Sequence, residues 1–344
     1  MPLYAQSSSA YDRRVSERSP DVLLVGLGST FGLREAEEQL RGSLERAGAS
    51  VVLVRPEPPR PVRTMMATDY RWARAARGAA AAALIEHPSP GAVVYGTTTA
   101  ALFWPTAGAI RFDSPARVNR PGRHGLWQRP LERRRLGAAP LLIPQSSEAL
   151  ASAATANRRA VVVPVAIEPS GPAGDRDVAA VTYAADPAKK GLDRVLAAWE
   201  QARREGEQLV VAGLDGPPDG VTRDGVSYAG RLAPADYRAL LRRARIYVTA
   251  PRREDHGIGQ LEALADGCRV VTTPAPGPYV ALPLLEAGLG WVAPPHALRA
   301  ALRAALDDSD LAYATRALEA IAPFRQAEVD RIVTTELLPA LLHR

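Results

Sequence analysis

The sequence predicts an α/β protein made of two doubly wound, Rossmann-like domains, each built on a parallel sheet. Strand-like runs alternate with helical patterns along the chain, and the runs are continuously apolar, as in strands that helices cover on both faces. The pattern restarts after a Pro-, Gly- and Asp-rich segment at 168–177. Because ligands of such domains bind at the carboxyl ends of the strands, we expect a central cleft.

The first domain is expected at residues 21–167. It opens with a strand at 21–27, a helix at about 33–47 that Gly48 ends, and a second strand at 50–54. An Ala-rich helix follows, and further strands are expected at 92–96, 140–144 and 160–167. Residues 1–20 are polar and charged without an apolar signal core, which predicts a loose tail.

The second domain is expected at residues 168–325. Its strands are predicted at 179–184, 207–213, 226–230, 245–250, 269–273 and 290–294, and its helices near 191–204, 234–244, 258–267 and 296–306. A final helical run at 326–344 begins after this pattern is complete. We expect that helix to pack back on the first domain.

Composition favours a soluble cytoplasmic protein. Cys268 is the only cysteine, so the chain cannot form an internal disulfide, and this fits a reducing compartment. The longest apolar run, at 79–85, is far shorter than the ~20 residues that a membrane span needs. Residues 1–166 hold 22 Arg against 13 acidic residues, a net charge of +9, whereas residues 167–344 have a net charge of −3. The basic half suggests an anionic partner, although codon bias would also explain the arginines.

The stretch REDHGIGQLEALADG places Glu254 and Glu262 around a glycine-rich turn. Glu254 follows a predicted strand, and Gly257 opens a predicted helix that carries Glu262 one turn in. The N-terminus of a helix attracts phosphate, and carboxylates beside it are suited to sugar hydroxyls. The alternative is that Glu254 is a solvated loop charge and Glu262 a partner of the helix dipole.

This stretch resembles the E-x7-E motif of family-4 glycosyltransferases, which are retaining enzymes of the GT-B fold that use nucleotide-sugar donors. The resemblance extends through KGLD with VLAAWEQA behind it, VSYAGRLAPADYRALLRRARIYVTAP, and CRVVTTPAPGPYVAL. It covers nearly all of the second domain. The first domain is similar only loosely, through GLGST near residue 28 and LLIPQSSEAL at 141–150.

The resemblance implies roles for particular residues. Glu254 would lie over the donor sugar and assist catalysis, Glu262 would bind the ribose, and Lys190 would meet the diphosphate. Lys189 is either a helper of Lys190 or a solvated turn residue, and these two are the only lysines in the chain. The implied donor site also includes the main-chain N–H groups of Gly257, Ile258 and Gly259, together with Gly28 in the first domain.

Two departures from the family pattern affect the site. The family usually has an arginine where this chain has Ala185, and Arg231, Arg252 or Arg253 are candidates to replace its charge. A first-domain histidine is replaced by Asp113, in the strand-like stretch GAIRFDSPA. Asp113 could contact the donor sugar or an acceptor hydroxyl, or it could cap a turn.

The expected function is transfer of a sugar, with retention, from a nucleoside-diphosphate sugar to the hydroxyl of an acceptor glycan or lipid-linked sugar, as in hexosyltransferases. No cofactor besides the donor substrate is implied. No metal site is predicted, because His124, His256 and His296 show no ligand spacing. The alternatives are a non-catalytic or nucleic-acid-binding relative and an epimerase-like nucleotide-sugar enzyme. With 6% aromatic residues and no recognisable module, the chain gives little support to nucleic-acid binding.

A basic segment in the first domain suggests a partner surface. Eight arginines lie between Arg111 and Arg135, with Trp127 among them and Asp113 and Glu132 as the only acidic residues. The hypothesis is that Arg117–Arg135 contacts an anionic membrane, so that the enzyme is peripheral on the inner face. The alternative is a solvated loop and helix.

Overall fold

The computed structural model of the chain describes residues 19–172 and 174–342, without the side chain of Phe31. The tail expected at 1–20 therefore lies almost wholly outside the described residues. The chain divides into two compact units. Unit 1 consists of the described residues up to 165 together with 330–342, and unit 2 consists of those between 166 and 329.

Unit 1 contains a five-stranded parallel sheet in the order β2-β1-β3-β4-β5. Its strands are β1 (Val22–Val25), β2 (Val51–Val54), β3 (Ala92–Tyr95), β4 (Ala109–Phe112) and β5 (Leu142–Pro144). Its first six helices are α1 (Phe31–Arg46), α2 (Met65–Glu86), α3 (Thr98–Ala101), α4 (Ala116–Asn119), α5 (Gln128–Ala138) and α6 (Ser147–Ala153), with a 3₁₀ turn at Gly122–Gly125. Buried apolar side chains from the strands pack against the Ala-rich face of α2, so this helix covers the sheet closely.

Unit 2 contains a six-stranded parallel sheet in the order β11-β10-β9-β6-β7-β8. Its strands are β6 (Val178–Tyr183), β7 (Leu209–Ala212), β8 (Val226–Gly230), β9 (Ala244–Val248), β10 (Arg269–Thr272) and β11 (Gly290–Val292). The helices are α7 (Pro187–Lys190), α8 (Leu192–Ala202), α9 (Pro234–Arg243), α10 (Ile258–Ala265), α11 (Leu282–Leu284), α12 (Leu298–Asp307) and α13 (Tyr313–Ala320). Trp199 of α8 is fully buried in the core between α8, α12 and the sheet.

The order of strands in unit 2 determines which loops meet. β9 lies between β10 and β6, and all three are parallel. The loops that leave their carboxyl ends, at 184–191, 249–257 and 273–281, therefore lie side by side. The first two of these loops carry Lys189, Lys190, Glu254 and Gly257, which the sequence identified, and α10 follows the second.

One predicted strand is absent, and the rest of the pattern is confirmed. Continuous apolar runs became buried parallel strands, and the predicted helices in both halves are present. The segment 160–167 is wrong as a strand, because it makes only one bridge, between Ala160 and Leu142. Pro144, in β5, has no N–H to donate to residue 161, so the ladder beyond this bridge keeps only the bond from the N–H of Val163 to the oxygen of Pro144.

The carboxy-terminal segment begins with α14 (Gln326–Ile332) and continues through Val333–Leu337 into α15 (Leu338–Leu342). Within unit 1, Asp330 forms an ion pair with Arg46 at the end of α1, with a distance of 2.7 Å between Nε and Oδ2. Val333 and Leu337 are fully buried. No described helix combines the length and the apolar character that a membrane crossing requires.

Gly191, between α7 and α8, lies against the loop that follows β9. Its φ is +64°, and a Cβ atom there would lie 1.9 Å from the main-chain oxygen of Ala250. A side chain at 191 would push the turn away from β9. Glycine is therefore required for close approach as well as for its backbone conformation.

Glu132, on α5, is a buried carboxyl near the carboxyl end of β4. Its side chain accepts hydrogen bonds from the Ala116 N–H, at 2.6 Å, and from Thr98. Burial raises the pKa of Glu132 to about 7, and the two hydrogen bonds and nearby Arg120 offset this effect only in part. At neutral pH Glu132 therefore carries only about half of the negative charge that would oppose the basic segment.

We expect Gly191→Ala to lower the free energy of unfolding much more than Gly206→Ala. Gly206 also has a positive φ, of +82°, but no atom lies within 4 Å of the added Cβ, so its variant should lose only about 1–2 kcal/mol. Gly191→Ala adds a collision with the main chain. Chemical denaturation of the two variants tests this, and equal losses would show that the contact with Ala250 does not require glycine.

We expect Glu132→Gln to flatten the pH dependence of stability. Because the folded pKa lies above the ordinary value of 4.5, wild-type stability should fall as pH rises from about 4.5 to about 7, by about 3 kcal/mol at most. The Gln variant should be more stable than wild type at pH 8 and gain nothing near pH 4.5. Denaturation at both pH values, with exposed Glu148→Gln as the control, measures the difference. A variant that is less stable at pH 8 would contradict it.

Candidate active site

The central feature of unit 2 is an ion pair between Lys190 and Glu254. Lys190 ends α7, Glu254 lies in the loop after β9, and their Nζ and Oε2 atoms are 2.6 Å apart. The side chain of Glu254 is 7% exposed and that of Lys190 is 21% exposed. Each charge therefore depends on the other, because a carboxylate so far removed from water is costly without a cation.

Main-chain contacts keep this pair in register. Asp186 caps α7 by accepting the N–H of Lys189, and the N–H of Arg252 donates to the oxygen of Lys189 at 2.9 Å. With the close approach of Gly191, these bonds fix the loop after β6 on the loop after β9. The N–H of Glu254 donates to Pro276 at 3.1 Å, which joins the loop after β10 to the same site.

A second group of charges lies beside the pair. Asp255 contacts Lys189, at 3.4 Å from Nζ, and Arg253. Burial acts to raise the pKa of Asp255, but the two cations hold it below the ordinary value. Lys189 is thus held by a carboxylate of the loop after β9. Sequence reasoning missed Asp255, although its place directly after Glu254 was a visible signal.

The N-terminus of α10 is built from glycines that allow close packing. Gly257 has a φ of +85°, and a Cβ there would lie 2.8 Å from that of Ala281. A Cβ on Gly259 would lie 2.7 Å from the hydroxyl of Tyr247. Gly257 has no side chain with which to cap the helix. The first-turn N–H groups around Ile258 are therefore suited to donating hydrogen bonds to an anion.

Glu262 lies one turn into α10 and is 24% exposed. Its Oε1 is 3.7 Å from a guanidinium nitrogen of Arg238, whose Nε bonds Asp266 at 2.7 Å. Arg238 is largely buried and is held in place by Asp266. Glu262 consequently remains partly open to a ligand while a fixed cation lies behind it.

The structure restricts the replacements for the arginine that the family has at the Ala185 position. Arg252 forms a two-point ion pair with Asp193, at 2.8 and 2.7 Å. Arg253 pairs with Asp255. Arg231, exposed directly after β8, forms no ion pair within the described part of the chain. Arg231 is therefore the candidate that could bind a phosphate without breaking an ion pair.

In unit 1, Gly28 lies in the loop after β1 with a φ of +61°. Its N–H and that of Leu27 both donate to Oε1 of Glu37, at 3.2 and 2.6 Å. Glu37 is fully buried, and its other oxygen binds Nε of Arg55 at 2.6 Å. An internal carboxylate thus takes the two loop donors, which sequence reasoning did not anticipate. Its only signal was an acidic residue in the helix after the glycine-rich turn.

Asp113 follows β4, is exposed, and lies near Glu132 and the buried Arg111. The structure places it at the carboxyl edge of the sheet of unit 1. Among the described residues, no group of three or more His, Cys, Asp and Glu side chains is arranged to hold a metal ion. His256 is buried, and its main-chain oxygen accepts the N–H of Ala281 at 3.1 Å.

Only some of the arginines in the basic segment of unit 1 are exposed at the surface. Arg111 is buried, Arg120 is paired with Asp69, Arg129 bonds the oxygens of Gly122 and Gly125, and Arg135 bonds Leu102. The remaining four arginines, Arg117, Arg123, Arg133 and Arg134, are exposed. Beside them the rings of Tyr70, Phe103 and Trp127 pack together, with centroids 5.6–5.9 Å apart.

Comparison with known proteins identifies the fold. Residues 176–308 match the model of the family described as glycosyl transferases group 1. A search of curated proteins gives no match. Solved structures that resemble the chain include a sucrose-phosphate synthase from Thermosynechococcus elongatus, with a TM-score of 0.69, 16% identity, and coverage of 95% of this chain and 97% of that one.

Two further structures cover both units. WaaG, a glycosyltransferase involved in lipopolysaccharide biosynthesis, has a TM-score of 0.64 and 18% identity over 94% of this chain and 97% of its own. The Anabaena protein HepE, in complex with UDP and glucose, has a TM-score of 0.67 and 15% identity over 92% of this chain and 98% of its own. At such identities the likeness shows the fold. Residues 176–308 thus resemble group 1 glycosyl transferases, and the two parallel-sheet units have the GT-B fold of these glycosyltransferase structures.

Proposed function

We propose that the chain transfers a sugar, with retention of anomeric configuration, from a nucleoside-diphosphate sugar to an acceptor hydroxyl. The observation that carries this proposal is the 2.6 Å contact of Lys190 with Glu254 beside the N-terminus of α10. It combines a cation, a carboxylate and free main-chain donors, which together match a diphosphate bonded to a sugar.

Lys190 is proposed to bind the donor diphosphate while it remains near Glu254. An ammonium group has three N–H donors, so it can serve a carboxylate and phosphate oxygens at the same time. The N–H groups of Gly257, Ile258 and Gly259 add a second positive pole. Lys189 lies nearby, and Arg231 is a further candidate cation for the position that Ala185 leaves without charge. We propose that these groups, rather than a metal ion, neutralise the donor phosphates.

Glu262 is proposed to accept the two ribose hydroxyls. A partly exposed carboxylate can accept both O–H groups as a fork, and the Arg238 guanidinium 3.7 Å away keeps it charged and oriented. HepE was solved with UDP and glucose, which supports uridine nucleotides as the first donors to test.

In the proposed reaction the bond from the anomeric carbon to the diphosphate oxygen breaks, and the acceptor oxygen bonds to that carbon on the same face. The leaving phosphate oxygen takes the proton that the acceptor hydroxyl loses. Lys190 and the first turn of α10 stabilise the charge that develops on the leaving group. The Glu254 carboxylate, which we propose lies over the donor sugar, stabilises the positive charge that develops on the ring.

We also propose that the acceptor is lipid-linked or part of a cell-envelope glycan, and that the enzyme acts from the cytoplasm at the inner face of an anionic membrane. A group of exposed apolar side chains supports this idea: Met65 is 50%, Met66 41%, Tyr70 43% and Leu126 62% exposed. Of these, Tyr70 packs against the rings of Phe103 and Trp127 and lines a groove of about 480 Å³ together with Arg74 and Arg77. Apolar and aromatic side chains among arginines suit the headgroup region of a membrane.

We expect Glu262→Ala to weaken donor binding and Glu254→Gln to affect turnover. Loss of the charged acceptor for ribose should cost roughly 1.5–3 kcal/mol of binding free energy. Gln at 254 preserves shape and should leave donor affinity nearly unchanged while kcat falls. Calorimetry with UDP-, GDP- and ADP-sugars and rate measurements on any donor that binds separate the two effects, with exposed Glu200→Ala as the control. An Ala variant at 262 that binds every nucleotide like wild type would remove this residue from the site.

We expect the double variant Arg123→Ala, Leu126→Gln to bind anionic vesicles less than wild type. Each arginine near the membrane surface contributes about 1 kcal/mol, and the exposed leucine adds apolar burial. The control is Leu311→Gln, which removes an equally apolar side chain, 97% exposed, from unit 2. Flotation with phosphatidylglycerol vesicles at low and high salt gives the readout. If wild type fails to float at low salt, a soluble acceptor is the better proposal.

A further inference from the structure

The loop after β10 contacts the site from a side on which the sequence identified no functional residue. Pro276 accepts the Glu254 N–H at 3.1 Å, and Ala281 donates its N–H to His256 at 3.1 Å. Gly277, with a φ of +129°, passes so close that a Cβ there would lie 1.9 Å from the main-chain oxygen of Glu254. The loop is therefore bonded to both ends of the turn that carries Glu254.

Tyr279 lies within this loop and has an unusual backbone conformation. Its φ is +40°, in the left-handed region that side chains with a Cβ rarely adopt, and it is 1% exposed. Such a conformation persists where surrounding contacts determine it, and it is concentrated at functional sites. The contacts of Tyr279 show what holds it.

The ring and the hydroxyl of Tyr279 join three elements. A Cβ on Gly257 would lie 3.2 Å from the ring, so the ring packs directly on the residue that opens α10. The hydroxyl accepts the side-chain N–H of Gln260, on α10, at 3.0 Å and lies 2.6 Å from the hydroxyl of Thr272, at the end of β10. All three polar side chains are buried.

To bond both Gln260 and Thr272, the Tyr279 hydroxyl has to be neutral. Burial raises the pKa of Tyr279 to about 12, so the phenol keeps its proton and can both donate and accept a hydrogen bond. Thr272 and Gln260 are thereby linked through one oxygen atom. This link fixes the first turn of α10 to β10. The link matters because Gly257, the residue that precedes α10, has no side chain that could cap the helix.

We propose that Tyr279 is a positioning residue, which aims the first-turn N–H groups of α10 and the Glu254 turn at the donor. This inference rests on the proposed function and adds a residue that determines how tightly the donor is held. Tyr279 acts through Gly257 and Gln260 and does not itself touch the reacting atoms.

The test is donor binding and kinetics of Tyr279→Phe, with Tyr313→Phe as the matched control. Tyr313 is also buried in unit 2, and its hydroxyl donates to Leu289 at 2.7 Å, outside the three loops of the site. Both variants lose one buried hydroxyl. We expect Tyr279→Phe to raise the donor dissociation constant and KM roughly fivefold or more, the effect of one or two hydrogen bonds, with kcat lowered as well. Tyr313→Phe should leave both constants unchanged.

The measurements distinguish positioning from a general loss of structure. A destabilised enzyme loses active molecules, which lowers apparent kcat but leaves KM and the dissociation constant unchanged. If Tyr279→Phe shows only that pattern, or matches Tyr313→Phe in every constant, the inference is overturned. Donor binding by the variant Lys190→Ala distinguishes failure of the inference on Tyr279 from failure of the proposed function. A wild-type protein that binds none of the UDP-, GDP- and ADP-sugars would overturn both, whereas donor binding that depends on Lys190 but not on Tyr279 would overturn the inference alone.

Discussion

The ion pair between Lys190 and Glu254 is the interaction on which the site depends. The two residues are 64 positions apart in the chain, and their charged atoms are 2.6 Å apart. A buried carboxylate is stable only if its cation is held at the correct distance. The requirement explains the features around it: the capped α7, the glycine pressed on Ala250, and the main-chain bond from Arg252 to Lys189. Each reduces the freedom of one loop relative to the next.

Close approach of main chains is the second constraint, and it explains the glycines. At Gly191 and Gly277 an added Cβ would lie 1.9 Å from a carbonyl oxygen of the neighbouring loop, and at Gly257 it would meet Ala281. Loops packed so tightly leave no room for side chains between them. Beside these loops, Glu262 is 24% exposed, and it and the first turn of α10 are the groups that we propose bind the donor.

Unit 1 shows why charge counts mislead. The net charge of its half of the sequence is strongly positive, but Arg111 is buried beneath α1, Arg55 is bound to Glu37, and Arg120 is bound to Asp69. These arginines neutralise internal carboxylates or satisfy main-chain oxygens. The surface that remains combines fewer arginines with exposed Met, Leu and aromatic side chains. Its chemistry differs from that of a simple basic patch, because part of its attraction to a partner would be apolar.

The sequence by itself determined the two parallel sheets, the positions of nearly all strands and the motif residues at the carboxyl ends of strands in the second sheet. It predicted only part of the helices, and α6 (Ser147–Ala153) and α13 (Tyr313–Ala320) are among those that it missed. Periodicity and glycine placement carry that information because each depends on neighbours along the chain. The run at 160–167 misled because an apolar stretch indicates burial, whereas Pro144 on the neighbouring strand cannot donate the next bond of the ladder. Only the tertiary structure decided the partners of the charges: Lys190 with Glu254, Lys189 with Asp255, and Glu37 with the loop of Gly28. It also revealed Tyr279, whose role depends on the order β10-β9-β6. Pairings between distant segments depend on strand order and loop packing, which local patterns do not specify.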